Sequence, residues 1–315
     1  MIRTFTPNPV LDLTLTVPTI LFNEVTRAAA VREDLGGKGF NVSRALRAFD
    51  VPSVAMGFLG GATGRKLETG LQALGVDVDP IEIVEETRTN VVVTEGDGER
   101  YVKVNQAGPT VHPEEIHRCL ERVNAVARPE AWWALGGSLP PGPTPDFYAQ
   151  LIQAIHAKGG RVILDTSGDP LREGVAVGPD LVKPNAVEVT ALTGQTVNSA
   201  EAAAGAVDAL RRLGAKDVAI SLGDQGVVLA MGTTRVWARP PRIRARNPVG
   251  AGDALVAGLL VAISQDADPT DVARWGVASG TAAAQGEGGS VGTVEDVRVI
   301  YDRVTVRTIY QGGGP

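Results

Sequence analysis

Short apolar runs of strand length recur through the chain and alternate with stretches of helical periodicity. Val54-Phe58, Ala131-Leu135, Arg161-Asp165, Leu181-Lys183 and Asp217-Ser221 are such runs. Between them, helices are expected over Asn41-Phe49, Gly64-Leu74, Glu114-Val126, Pro145-Lys158, Ala186-Leu192 and Ser199-Leu213. A strand that is apolar on both faces must be covered on both faces, and regular strand-helix alternation supplies that cover through parallel crossovers. The expected class is therefore α/β: a doubly wound, mostly parallel sheet flanked by helices.

Two stretches do not fit that sheet. Asp12 to Val17 and Glu24 to Glu33 alternate polar and apolar residues, and Asn90 to Val104 reads as a hairpin turning at Gly96-Asp97-Gly98. Strands with one polar face belong to a sheet that is open on one side. They are read as a small β-sheet inserted at about 12–34 and 88–106 within a single domain spanning 1–315. An open sheet needs its apolar face covered by the parent domain or by a second copy of itself, so a lid or a dimer contact follows.

Composition narrows the class of partner. Lys and Arg number 30 against 36 Asp and Glu, a net charge of −6, which argues against nucleic acid or an anionic membrane surface as the partner. The single cysteine, Cys119, leaves no internal disulfide framework and fits a reducing compartment. The N-terminal segment lacks the pattern of a signal peptide, and no run of about 18 apolar residues suggests a membrane span. The cytoplasm is the expected location.

The strongest chemical signal is Asn247-x-x-Gly250-Ala251-Gly252-Asp253 followed by an apolar helix. Small residues let the backbone turn sharply and present N–H groups at a helix N-terminus, where an anion is favoured. Asp253 is then either a cap of that helix or a base beside a phosphate site. A Walker-type phosphate loop is absent, because Arg32 stands where its first glycine would be relative to Gly37-Lys38. A dinucleotide fingerprint fails at Leu255.

Three separated segments carry a resemblance. Asp34-x-Gly36-Gly37-Lys38-Gly39-x-Asn41-Val42, Lys183-Pro184-Asn185-x-x-Glu188 and the segment ending at Asp253, in this order, resemble the ribokinase-like (PfkB) carbohydrate kinases, within them the branch of phosphofructokinases and tagatose-6-phosphate kinases. The resemblance implies a Rossmann-type core with a β-sheet lid that also forms a homodimer contact. It implies ATP-dependent phosphorylation of a ketohexose phosphate, with fructose 1-phosphate first and tagatose 6-phosphate or fructose 6-phosphate as alternatives. More distant readings are a plain-sugar or nucleoside kinase, or a sugar-phosphate-binding regulator without turnover.

By the same resemblance, Gly250, Ala251 and Gly252 form the anion hole for the transferred phosphate and Asp253 activates the sugar hydroxyl. Asp12, Gly37, Lys38 and Asn41 hold the sugar; Arg88, Ser138 and Arg27 serve its existing phosphate, Arg27 from the lid. Ser221, Gly223 and Gly226 in the Ser-Leu-Gly-Asp-Gln-Gly turn, with Asn185, lie at the nucleotide. Asn185 and Glu188 act on Mg2+ through water, although an Asn followed three residues later by Glu is also an ordinary helix start. The loop from Gln285 to Gly292 is where related kinases close the nucleotide site.

Overall fold

A computed structural model describes residues 1–96, 100–246, 248–286 and 289–311. The expected turn residues Asp97 and Gly98, the motif residue Asn247, and Glu287 and Gly288 of the glycine-rich loop lie outside the described residues.

The strands in chain order are β1 (Ile2–Thr6), β2 (Val10–Val17), β3 (Ala30–Gly36), β4 (Ser53–Gly60), β5 (Asp77–Ile83), β6 (Arg88–Glu95), β7 (Tyr101–Val104), β8 (Trp132–Gly136), β9 (Arg161–Asp165), β10 (Leu181–Val182), β11 (Asp217–Ser221), β12 (Val227–Met231), β13 (Thr234–Arg239) and β14 (Thr305–Gln311). Ten of them form one sheet in the order β14-β13-β12-β11-β10-β9-β8-β1-β4-β5. From β5 through β11 every neighbouring pair is parallel. β12, β13 and β14 continue the sheet antiparallel.

Strand alternation divides the core into two layers. Val162 and Leu164 of β9 face one layer, with Cys119, Val123, Ile152, Val207 and Leu210 from the helices on that side. Ile163, between them, faces the other, with Val42, Leu46 and the helices Ala251–Ile263 and Pro269–Gln285. All three β9 residues are fully buried, which is why this strand reads as a continuous apolar run. Cys119 is enclosed in the first layer, and burial pushes its thiol pKa up, away from reactivity.

The second sheet has the order β3-β2-β6-β7. Its strands come from the two segments whose alternation set them apart in the sequence. β3 begins only at Ala30, however, and residues 18–29 form a connection in which Asn23 takes a left-handed φ of 63°, breaking the extended chain expected from Glu24. The helix expected to start at Asn41 runs over Lys38–Ala48. The helix expected over Pro145-Lys158 is confined to Phe147–His156, between an N-terminal Asp146 and the turn at Gly159.

The helix Ala251–Ile263 is apolar all round, as a helix enclosed by its neighbours must be. It packs against Pro269–Gln285 at Gly258, where an added Cβ would meet Ser279 Oγ and stand 2.5 Å from the carbonyl oxygen of Trp275. Gly258→Ala sets two effects against each other. Helix propensity favours alanine by about 1 kcal/mol, whereas overpacking against an immobile backbone carbonyl costs about 1–3 kcal/mol. The clash is expected to win, giving a lower urea midpoint than the native protein; an unchanged or higher midpoint would mean that the two helices separate without cost.

Candidate functional site

Parallel strands all end at one edge, and in an open α/β sheet that edge is where ligands gather. Here it collects Asn8 after β1, Ser138 after β8, Asp165 at the end of β9, Lys183 and Asn185 after β10, and Ser221 at the end of β11. Among the helix N-termini at this edge are those of Lys38–Ala48 and Ala251–Ile263, the second being the site helix.

The site helix starts at Gly250, whose φ of 83° places it in the left-handed region that favours glycine. First-turn N–H groups of a helix have no carbonyl partner four residues back. Asp253, in this turn, is 7% exposed. Its Oδ2 accepts a 2.8 Å hydrogen bond from Asn41 Nδ2, and no bond to a backbone N–H of its own helix occurs among the described residues, so it does not serve as a cap. Asn41 is held in turn by Arg44, which donates to Asn41 Oδ1 at 3.3 Å, to the Leu35 carbonyl at 3.1 Å and to the Gly289 carbonyl at 2.9 Å. Since Oδ1 of Asn41 is taken by a cation, its amide nitrogen is the end that faces Asp253.

Two ammonium groups share a carboxylate beside this turn. Lys38 Nζ donates to Asp165 Oδ1 at 2.8 Å, and Lys183 Nζ stands 3.3 Å from the same oxygen. Asp165 Oδ2 is buried without a hydrogen-bond partner among the described residues. Lys183 is 4% exposed, and its Nζ lies 3.8 Å from where a Cβ on Gly252 would stand. Burial raises the pKa of Asp253 from 3.8 to about 6; the charge on Lys38 opposes that rise and the charge on Asp165 adds to it. Burial acts against the Lys38 ammonium, but Asp165 and then Asp253 outweigh it, so the lysine pKa is raised.

Asn185 and Glu188 form a reciprocal capping box on the helix Ala186–Thr193: Glu188 N–H donates to Asn185 Oδ1 at 2.9 Å, and Asn185 N–H donates to Glu188 Oε2 at 2.8 Å. Asn185 also bridges to Ser221 in parallel register, which brings the expected nucleotide residues to one place. Gly223 is exposed in the single 3-10 turn Gly223–Gln225, while Gly226 is buried against the Ala238 carbonyl. Among the described residues no three His, Cys, Asp or Glu side chains are arranged to hold a metal ion.

A second group surrounds the root of the small sheet. Asp12 Oδ1 accepts from Asn90 Nδ2 at 2.9 Å. Arg88 donates to the carbonyls of Asn8 at 2.9 Å, Gln106 at 3.0 Å and Pro9 at 3.4 Å. Asn8 Nδ2 donates to the Ala107 carbonyl at 2.8 Å and reaches the Ser138 hydroxyl at 3.5 Å. Gly37 follows β3 and caps the helix Lys38–Ala48 with a φ of 124°, in the region that favours glycine. Arg27 stands apart: it is exposed in the 18–29 connection and makes no hydrogen bond or ion pair among the described residues.

Thus Lys38, Asn41 and Asp253 converge, Arg88 is linked to Ser138 through Asn8 and to Asp12 through Gln106 and Asn90, and Asn185, Glu188, Ser221 and Gly223 line the neighbouring strand ends. Sequence reasoning had given no role to Asp165, Arg44, Asn8 or Asn90. Asp165 carried a usable signal, a carboxylate ending an apolar strand; the other three did not.

The pfkB family carbohydrate kinase model matches residues 8–296. The chain is 33% identical to the 1-phosphofructokinase of Bacillus subtilis over 306 residues, covering 97% of this chain and 99% of that one. It is also 33% identical to the ATP-dependent 6-phosphofructokinase isozyme 2 of Escherichia coli, covering 95% and 97%. The crystal structure of phosphofructokinase-2 from Escherichia coli in complex with potassium superposes with a TM-score of 0.90 at 31% identity, covering 96% of this chain and 98% of that one. With a matched model across most of its length and full-length relatives above 30% identity, the chain belongs to the pfkB family of carbohydrate kinases.

Proposed function

We propose that the protein transfers the γ-phosphoryl group of ATP to a primary hydroxyl of a ketohexose phosphate, fructose 1-phosphate in the first place, yielding fructose 1,6-bisphosphate. The observation that carries this reading is Asp253: a buried carboxylate at the N-terminus of the site helix, with two lysines on a shared aspartate beside it. A base must take the hydroxyl proton while neighbouring donors stabilise charge on the phosphoryl group, and this arrangement holds both in one place. In the proposed mechanism Asn41 orients the Asp253 carboxylate, Asp253 accepts the proton from the attacking oxygen, and the N–H groups of Gly250 to Gly252 with Lys38 receive the transferring group. The small sheet, acting as a lid, excludes the water that would otherwise accept the phosphoryl group.

Magnesium fits the residues present. Glu188 is exposed enough to meet water, and the capping box engages only its Oε2, which leaves the second carboxylate oxygen for a hydrated ion. This ion takes one or two carboxylates and otherwise water and phosphate oxygens, so a larger protein cage is not needed. Glu188 and Asn185 would hold it through water, and when bound it supplies charge neutralisation on the nucleotide phosphates. A cytoplasmic location accords with a buried single thiol and with ATP as substrate.

The phosphate already on the sugar is assigned to Arg88 and Ser138. A guanidinium has five N–H donors in a planar fork, and three carbonyls engage Arg88 without exhausting them. A relative named for each phosphofructose isomer is 33% identical to this chain, so fructose 6-phosphate is the first alternative, and tagatose 6-phosphate follows from the sequence resemblance. Arg27, exposed and unpaired within its own chain among the described residues, is assigned to the neighbouring copy's site in a homodimer.

That homodimer rests on the register of the small sheet. Leu11, Leu13 and Leu15 share one face with Leu35, Val31, Val91, Val93, Val102 and Val104. Leu11 and Leu35 are covered by Leu67 and Leu71 of the helix Gly61–Ala73, but Val31 remains 62% exposed, Val104 59% and Val102 42%. A second small sheet stacked on this face would cover it.

Three outcomes are expected. With MgATP and a panel of phosphosugars, ADP release should be efficient for one ketohexose phosphate, should fall by roughly 10² to 10⁴ in kcat for Asp253→Ala with little change in KM, and should rise with pH through about 6, because the base must be ionised. Turnover of ribose or adenosine in preference to every phosphosugar would overturn the reading. Holding Asp253 ionised in its enclosed site costs on the order of 3 kcal/mol, so Asp253→Asn should unfold at higher temperature than native at pH 8. That gain should fade between about pH 6 and pH 4, where the folded native protein takes up the proton before the unfolded chain does; a gain independent of pH would contradict it. Finally, Val104→Glu should sediment as a monomer under conditions in which the native protein is a dimer; a monomeric native protein would remove the dimer from the account.

A further inference from the structure

We propose that Asn90 is the positioning residue of the sugar site, fixing the Asp12 carboxylate through a side-chain amide that can be oriented in only one way. The inference rests on the reading that Asp12 accepts hydrogen bonds from sugar hydroxyls.

Asn90 lies on β6 in register with Asp12 on β2, and its side chain is 6% exposed. The Gln106 backbone N–H donates to Asn90 Oδ1 at 3.2 Å, while Asn90 Nδ2 donates to Asp12 Oδ1 at 2.9 Å. A backbone N–H can only donate and an ionised carboxylate can only accept, so a reversed amide would lose both bonds. This is the one side-chain hydrogen bond to the Asp12 carboxylate among the described residues. On its other side Oδ2 lies against Gly36, where a Cβ would come within 2.7 Å of it. The carboxylate is thereby held between an amide and bare backbone.

The charged neighbours on this face make the amide necessary. Asp34 on β3 stands in register with Asp12, a like charge directly across the strand pair. Arg32 is engaged with Asp34 at 2.8 Å, and Lys103 on β7 sits one row further out. Arg88 attracts Asp12, but its hydrogen bonds among the described residues go to the carbonyls of Pro9, Gln106 and Asn8 and none goes to Asp12. Asn90 supplies the donor without adding charge, and it leaves the second carboxylate oxygen to a ligand.

The same residue ties the site to the return leg of the small sheet. Gln106 gives its N–H to Asn90, takes the Thr89 N–H on its Oε1 at 2.9 Å, and gives its carbonyl to Arg88. Displacing the segment at Gln106 therefore pulls directly on the group that orients Asp12, so that sugar recognition and the placement of the lid root are read by one amide.

Asn90→Asp tests this with the change of a single group: it keeps the acceptor for Gln106 and replaces only the donor facing Asp12. At pH 8 two carboxylates then oppose each other, and KM for the phosphosugar should rise roughly 10- to 100-fold, with kcat and KM for MgATP within about twofold of native. At pH 6 a proton shared by the pair restores a donor to Asp12, so the rise in KM should shrink. Asn90→Ala should raise KM at every pH. An unchanged KM in both variants, or a loss of kcat and of both KM values together without pH dependence, would overturn the proposal. The titration of the Asp12 carboxyl, followed by carbon NMR without substrate, separates the two readings: if the native protein turns over no phosphosugar, the substrate assignment falls, and the titration decides the role of Asn90. Asp12 should titrate at higher pH in Asn90→Asp than in the native protein, and equal titrations would overturn the proposal.

Discussion

A carboxylate shared by two lysines at the ends of parallel strands is the interaction on which the rest of the site depends. Lys183 is almost completely buried, and a buried ammonium is tolerated only when paired. Asp165 provides that pairing, but one of its oxygens serves both Lys183 and Lys38 while the other has no partner among the described residues. Asp253 adds negative charge only when ionised, and its enclosure resists ionisation. With Asp253 ionised the two lysines and two aspartates balance, and the first-turn N–H groups of the site helix, which have no carbonyl partner four residues back, are the donors left at this edge. The parallel sheet makes this arrangement possible because Lys183 and Asp165 stand level at the ends of adjacent strands, while Ser221, further along the next strand, stands level with Asn185.

The small sheet works by a different rule. Its period of two sends Leu11, Leu13, Leu15, Val91 and Val93 to one face and Asp12, Asp34, Arg88 and Asn90 to the other. One face is anchored on the helix Gly61–Ala73 and then runs beyond it; the other carries the groups assigned to the sugar. Because β3 leads directly into the helix that carries Lys38 and Asn41, the chain passes from the sheet to the transfer site within a few residues.

Much of this was legible before any coordinates. Apolar runs such as Arg161-Asp165 and alternating stretches such as Asp12-Val17 each declare their environment, because the pattern is set by which faces are covered. Lys38, Asn41 and Asp253 were found through motifs rather than through proximity: 212 positions separate Asn41 from Asp253, and 127 separate Lys38 from Asp165. The partners that orient these groups were harder to see. Asn90 acquires its meaning from the register of β6 against β2, and Arg44 from a carbonyl at Gly289, neither of which has a local signature. The antiparallel strands β12 to β14 were passed over, although the Gly232-Thr233 turn between two β-rich runs is a hairpin signal of the ordinary kind. The run Glu24 to Ala29 erred in the other direction, since alternation alone does not reveal that Asn23 turns the chain.

The most direct test of the central claim follows phosphorus through the reaction. Phosphorus NMR of the purified protein with MgATP and fructose 1-phosphate should show the γ-phosphate signal of ATP disappear as a second sugar phosphate monoester appears in equal amount, with no matching inorganic phosphate. Unchanged spectra with each ketohexose phosphate, or conversion of ATP to inorganic phosphate alone, would contradict the assignment of this strand edge as a phosphosugar kinase site.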